Sequence, residues 1–143
     1  MAFPLPRLHN AYDIEQAVIR DPAKVTCLRF GQDYDQECMK MDEVLFNASR
    51  AVEGACSIFA VNTREACQGS DQFQFVGNLT MLVFFFRGRH LQLDVGNNIQ
   101  PGVSWAFSSQ QEFLDLVEAV YRGATQGRDV ILAPKDYSIR MGY

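Results

Sequence analysis

The chain has 143 residues, 48% hydrophobic and 21% charged, with a formal net charge of −4; this composition suits a globular fold and excludes a highly charged disordered chain. Residues 122–143 carry Arg122, Arg128, Lys135 and Arg140 against Asp129 and Asp136, so the remainder is more acidic than the whole, which argues against broad nucleic-acid binding through phosphate neutralisation. No run of 18 apolar residues occurs, and Met1-Ala2-Phe3-Pro4-Leu5-Pro6 lacks the basic and apolar stretches of a secretory leader, so neither membrane spanning nor secretion is expected.

In chain order, Asp13 to Arg20 places Ile14, Ala17 and Val18 at helical spacing, and Asp21-Pro22 stops that helix because the residue before a proline is pushed out of the helical region. Val25-Thr26-Cys27-Leu28-Arg29-Phe30 is rich in β-formers and runs into Gly31, the pattern of a strand entering a loop. The period then changes: Met41, Val44, Leu45, Ala48 and Val52 form one stripe of a helix that Gly54 is placed to end.

Cys56 to Val61 reads as a second strand, and Asn62 to Gly69 as a turn with a short helix. Met81-Leu82-Val83-Phe84-Phe85-Phe86 is a continuous apolar run, which suits a central strand buried on both faces. Arg87-Gly88-Arg89 supplies a turn, after which Leu91, Leu93 and Val95 alternate with polar residues as in a hairpin partner. Ser109-Gln110-Gln111-Glu112 is a capping box, and Phe113, Leu116, Val117, Val120 and Tyr121 follow at helical spacing, with Gly123 or Gly127 to end the helix.

This order predicts an α/β fold, a thioredoxin-like sandwich in which a mixed central sheet is flanked by helices. A single domain over residues 1–143 is expected, with a core at 10–124 and a C-terminal tail at 125–143. The tail is not needed by the minimal sandwich, so Lys135, Asp136 and Tyr137 are candidates for partner contact, or else part of a strap that packs on the domain.

Asp35-Gln36-Glu37-Cys38 stands at the strand-to-helix junction where a thioredoxin carries Cys-x-x-Cys. Disulfide exchange needs an attacking thiolate and a resolving thiol, and Asp35 supplies neither. Cys27, Cys38, Cys56 and Cys67 are ten or more residues apart, so no zinc knuckle or short disulfide framework can be drawn and reduced thiols are expected. His9 and His90 have no ligand at metal spacing. No metal, cofactor or catalytic residue is expected.

Several blocks resemble one family over nearly the whole chain. They are Leu5-Pro6-Arg7-Leu8-His9-Asn10, Arg29-Phe30-Gly31-Gln32-Asp33-Tyr34-Asp35, Cys38-Met39-Lys40-Met41-Asp42-Glu43-Val44-Leu45, Phe84-Phe85-Phe86-Arg87, Val120-Tyr121-Arg122-Gly123-Ala124 and Pro134-Lys135-Asp136-Tyr137-Ser138. The sequence is similar to the Dim family, thioredoxin-like small subunits of the spliceosomal U5 small nuclear ribonucleoprotein (snRNP). The resemblance implies a nuclear, non-enzymatic component of the U4/U6.U5 tri-snRNP that acts as a protein-binding scaffold in pre-mRNA splicing. It further implies a monomer docked on the large U5 scaffold protein, with a GYF-domain protein and a polyglutamine-tract-binding splicing factor as further partners. Where the family has Pro-Cys before the central strand, this chain has Gly77-Asn78-Leu79-Thr80, so a cis-proline clamp on substrate backbone is not expected.

Asp35 is either a polar contact for a partner or a carboxylate favoured by the helix dipole. Cys38 reads as structural rather than reactive. Tyr34 and Met39 suit an adaptable partner surface, Met41 suits the core, and Trp105 is either an interface anchor or a plug at the end of the sheet. The rival reading is a single-cysteine redox protein or isomerase. An RNA-binding module lacks the required motifs, although Arg87, Arg89 and His90 leave room for incidental RNA contact.

Overall fold

The structure, a computed structural model, describes residues 4–32, 35–66, 73, 76, 80–96, 98–105 and 107–134. Its elements are β1 (Arg7–Leu8), α1 (Ala11–Arg20), β2 (Val25–Gly31), α2 (Gln36–Val52), β3 (Cys56–Asn62), α3 (Thr63–Ala66), β4 (Met81–Phe86), β5 (Arg89–Asp94), β6 (Ile99–Gln100), α4 (Gln110–Thr125) and β7 (Val130–Leu132). The described strands form one mixed sheet in the order β1-β3-β2-β4-β5-β6, with β7 added to β5. β3 runs parallel to both β1 and β2, whereas β4 is antiparallel to β2 and β5 is antiparallel to β4. The α/β sandwich expected from the sequence is the fold observed.

β4 sets the two cores because every one of its residues is buried and successive side chains point to opposite faces. Leu82, Phe84 and Phe86 pack into the core beneath α2 and α4. Met81, Val83 and Phe85 join Ile14, Ala17 and Val18 of α1 on the other face. The stripe Met41, Leu45, Ala48 and Val52 is buried as its spacing requires. α1 starts two residues earlier than its apolar period suggests, because Asn10 caps it: the Asn10 side chain accepts from the Asp13 amide at 2.8 Å.

α4 ends in a paired-amide motif with Gly127 at φ +85, where the Gly127 amide donates to the Ala124 carbonyl and that of Arg128 to the Gly123 carbonyl, each at 3.0 Å. Gly123 therefore lies inside the helix. A Cβ there would stand 2.5 Å from Ile131 Cδ1, so its absence admits the Ile131 side chain against the helix backbone. Half of the expected capping box forms, since the Ser109 side chain accepts from the Glu112 amide at 3.3 Å. The Glu112 carboxylate accepts from Ser108, at 3.2 Å from the amide and 2.7 Å from the hydroxyl.

The core extends beyond the boundaries expected at residues 10 and 124. At the start, Leu5 and Leu8 are buried and β1 pairs with β3. At the end, β7 pairs parallel to β5 with Leu93 opposite Ile131, and both Ile131 and Ala133 belong to the α2/α4 core. Val130-Ile131-Leu132 thus packs on the domain as a strand of the sheet. Its neighbours Lys135, Asp136 and Tyr137 lie outside the described residues.

Cys27 and Cys56 are buried core thiols on adjacent strands. Burial, reinforced by a hydrogen bond with the Cys56 thiol, pushes the Cys27 thiol well above the usual range, so it stays protonated at neutral pH. Cys67 lies outside the described residues. Among the described residues no helix is long and apolar enough to cross a membrane, and no group of His, Cys, Asp and Glu is placed to hold a metal ion.

Candidate functional site

β2 delivers the chain to the start of α2, and the junction is built around two residues of the degenerate motif. Asp35 is the N-cap: its side chain accepts from the Glu37 amide at 3.0 Å, and its carbonyl accepts from the Met39 amide at 2.9 Å. The carboxylate therefore satisfies a helix-end donor and complements the positive end of the helix dipole. Cys38 is completely buried.

The space for Cys38 comes from Gly31 at the end of β2. A Cβ on Gly31 would lie 2.9 Å from Cys38 Sγ, 3.2 Å from Thr80 Oγ1 and 3.5 Å from Arg29 Nη1. Thr80, at the entry to β4, thus brings a hydroxyl to the same side of Gly31 as the thiol. Gly77, Asn78 and Leu79 lie outside the described residues.

Beneath the junction sits a buried ion pair. Arg29, on β2, is fully buried, and its Nε and Nη2 donate to Asp42 Oδ1 and Oδ2 at 2.7 and 3.0 Å. Nη1 also donates to the Val61 carbonyl at 3.3 Å. The bidentate geometry ties α2 to both β2 and β3, so the helix that carries Asp35 and Cys38 is held at a set height over the sheet. Sequence reasoning missed this pair. Its signal was a charged residue inside a fully buried strand together with a carboxylate beside the apolar stripe of the next helix.

Over the junction opens a cleft of about 440 Å³ between α2 and the loop before α4. Met41, Val44, Trp105 and Phe107 make its apolar lining, and Asp35, Glu37, Lys40, Glu43, Thr80 and Ser104 complete it. Trp105 is a core residue, buried to 95%, that also forms a wall of the cleft. Phe107 is fixed edge-on to the buried Phe113 ring, with centroids 5.5 Å apart. The Gln110 side chain donates to the Asn47 carbonyl at 3.1 Å and links the start of α4 to α2.

Among the sequence candidates, the fold brings Asp35 and Trp105 together in this cleft, with the buried Met41 in its lining and Cys38 buried outside that lining. Met39 is half-buried and does not line the cleft. Tyr34 lies outside the described residues. Arg87, Arg89 and His90 each engage the fold: Arg87 Nε donates to the Pro22 carbonyl at 3.0 Å, Arg89 pairs with Asp129 at 3.0 Å, and His90 Nε2 lies 2.7 Å from the Pro101 carbonyl.

The same arrangement of sheet and helices occurs in solved thioredoxins, one from Halobacterium salinarum covering 79% of this chain and 87% of that one, with a TM-score of 0.62 at 13% identity. That likeness establishes the fold. The family described as mitosis protein DIM1 matches residues 4–137. This chain belongs to that family. The mitosis protein dim1 of Schizosaccharomyces pombe is 32% identical over 143 residues, covering both chains completely. The spliceosomal protein DIB1 of Eremothecium gossypii is 28% identical over 136 residues, covering 95% of this chain and 94% of its own.

Proposed function

We propose that this member of the DIM1 family is a non-enzymatic component of the pre-mRNA splicing machinery, a nuclear protein-binding subunit of the U5 snRNP and the U4/U6.U5 tri-snRNP. The spliceosomal name of the Eremothecium gossypii relative, matched over nearly its full length, supports this reading. The observation that carries its non-enzymatic part is Asp35. Where thioredoxin chemistry needs an attacking thiolate, this chain has a carboxylate engaged in capping a helix, above a buried Cys38. An insulin-reduction assay should therefore show no turnover above background. Turnover that disappears in Cys38→Ser would establish the rival single-cysteine redox reading.

The partners that fit this role are the large U5 scaffold protein and other tri-snRNP proteins, with the GYF-domain protein and the polyglutamine-tract-binding factor suggested by family resemblance. The cleft lined by Asp35 and Trp105 is one contact surface in this reading, and Lys135, Asp136 and Tyr137 are another. The test is recovery of U5 RNA and spliceosomal proteins with the tagged protein from nuclear extract. A truncation after Pro134 keeps β7 and is expected to unfold at the same temperature as the full chain while recovering less U5 RNA. Unchanged recovery would place the contact surface on the sandwich alone, and absence of U5 RNA with the full chain would overturn the splicing role.

A further inference from the structure

The cleft beside α2 combines an apolar lining with an unbalanced rim charge, and we propose that it receives a short segment of a partner protein presenting an arginine flanked by apolar side chains. This rests on the reading of the protein as a protein-binding subunit and names the chemistry of the segment bound. The rim holds three carboxylates, Asp35, Glu37 and Glu43, against one ammonium, Lys40. Lys40 stands 3.7 Å from Glu37, which leaves Asp35 and Glu43 with no cation partner among the described residues.

A rim of that sign repels a phosphate backbone and favours a cation. The lining then selects among cations. A guanidinium is planar, more weakly hydrated than an ammonium, and lies well against aromatic rings, while its donors match carboxylates two at a time. Trp105 and Phe107 supply the rings, and Met41 and Val44 supply apolar surface for the side chain next to the arginine. A second groove, of about 470 Å³ near Val52, Val117 and Tyr121, shows the contrast: its rim charges Glu118 and Arg122 neutralise each other, and it selects no charge.

Trp105 is the sole tryptophan of the chain, so its emission reports occupancy of the cleft. The full chain is titrated with acetyl-leucyl-arginyl-leucyl-glycinamide, with the same peptide carrying citrulline for arginine, and with oligouridylate, each up to about 1 mM. The expected result is a saturable change with the arginine peptide and binding about tenfold weaker for the uncharged citrulline peptide. The variant Asp35→Asn, Glu43→Gln should lose a similar factor. Asparagine still caps a helix and Glu43 is exposed, so this variant is expected to unfold at the parent temperature. Equal binding of the two peptides, no saturable change with either, or saturation by oligouridylate overturns the proposal. A chain that recovers U5 RNA yet ignores the arginine loses this inference alone, whereas one that binds the peptide but recovers no U5 RNA loses the splicing role and keeps the cleft chemistry.

Discussion

Asp42→Ala is expected to destabilise the protein by about 3–5 kcal/mol, because it leaves the Arg29 guanidinium charged and buried without its carboxylate. Side-chain exposure is 0% for Arg29 and 7% for Asp42, so solvent can do little to compensate. That is a large share of the 5–15 kcal/mol typical of a domain. The double replacement Arg29→Met, Asp42→Leu removes both charges and should recover much of the loss, since apolar residues of similar volume often substitute for a buried pair without penalty. Urea unfolding of the three proteins is the measurement. A loss below 1 kcal/mol in Asp42→Ala would mean that water reaches the pair, and that α2 is held by its apolar stripe alone.

Truncation after Gly127 is expected to cost at least as much. It deletes β7, exposes the outer edge of β5 and withdraws Ile131 and Ala133 from the main core. Loss of the Ile131 side chain alone is worth about 2–5 kcal/mol as a large core deletion, and the cavity lies against Gly123, whose missing side chain cannot fill it. Thermal unfolding should therefore show a chain that is unfolded or lacks a cooperative transition at physiological temperature. The contrast with truncation after Pro134, which retains β7, is the decisive comparison. If the two truncated proteins melt together with the full chain, β7 contributes nothing to the core.

Where each element lies was legible in the residues whenever one side chain pattern repeated long enough to reveal its environment. Met81 to Phe86 is apolar at every position because both faces of β4 are covered, and it forms a strand with those limits. The α2 stripe runs from Met41 to Val52, and its residues are buried apart from the half-buried Val44. Asp35 and Cys38 were recognisable as a motif lacking its dithiol, and Ser109 as a cap. β1, β6 and β7 are only two or three residues long, too short for any period to show, and each exists because a neighbouring strand offers free amides and carbonyls.

The sequence by itself determined the class of fold, the family and the absence of a Cys-x-x-Cys pair, since all three depend on residue type at local spacing. Only the tertiary structure decided that Arg29 and Asp42 close a buried ion pair, that Thr80 lies on the same side of Gly31 as Cys38, and that Trp105 walls a cleft with Asp35 and Glu43 at its rim. Those facts join residues far apart along the chain. Local propensity reports which face of an element avoids water, but the partner met on that face is set by how sheet and helices pack, and no short window of sequence contains both sides of such a contact.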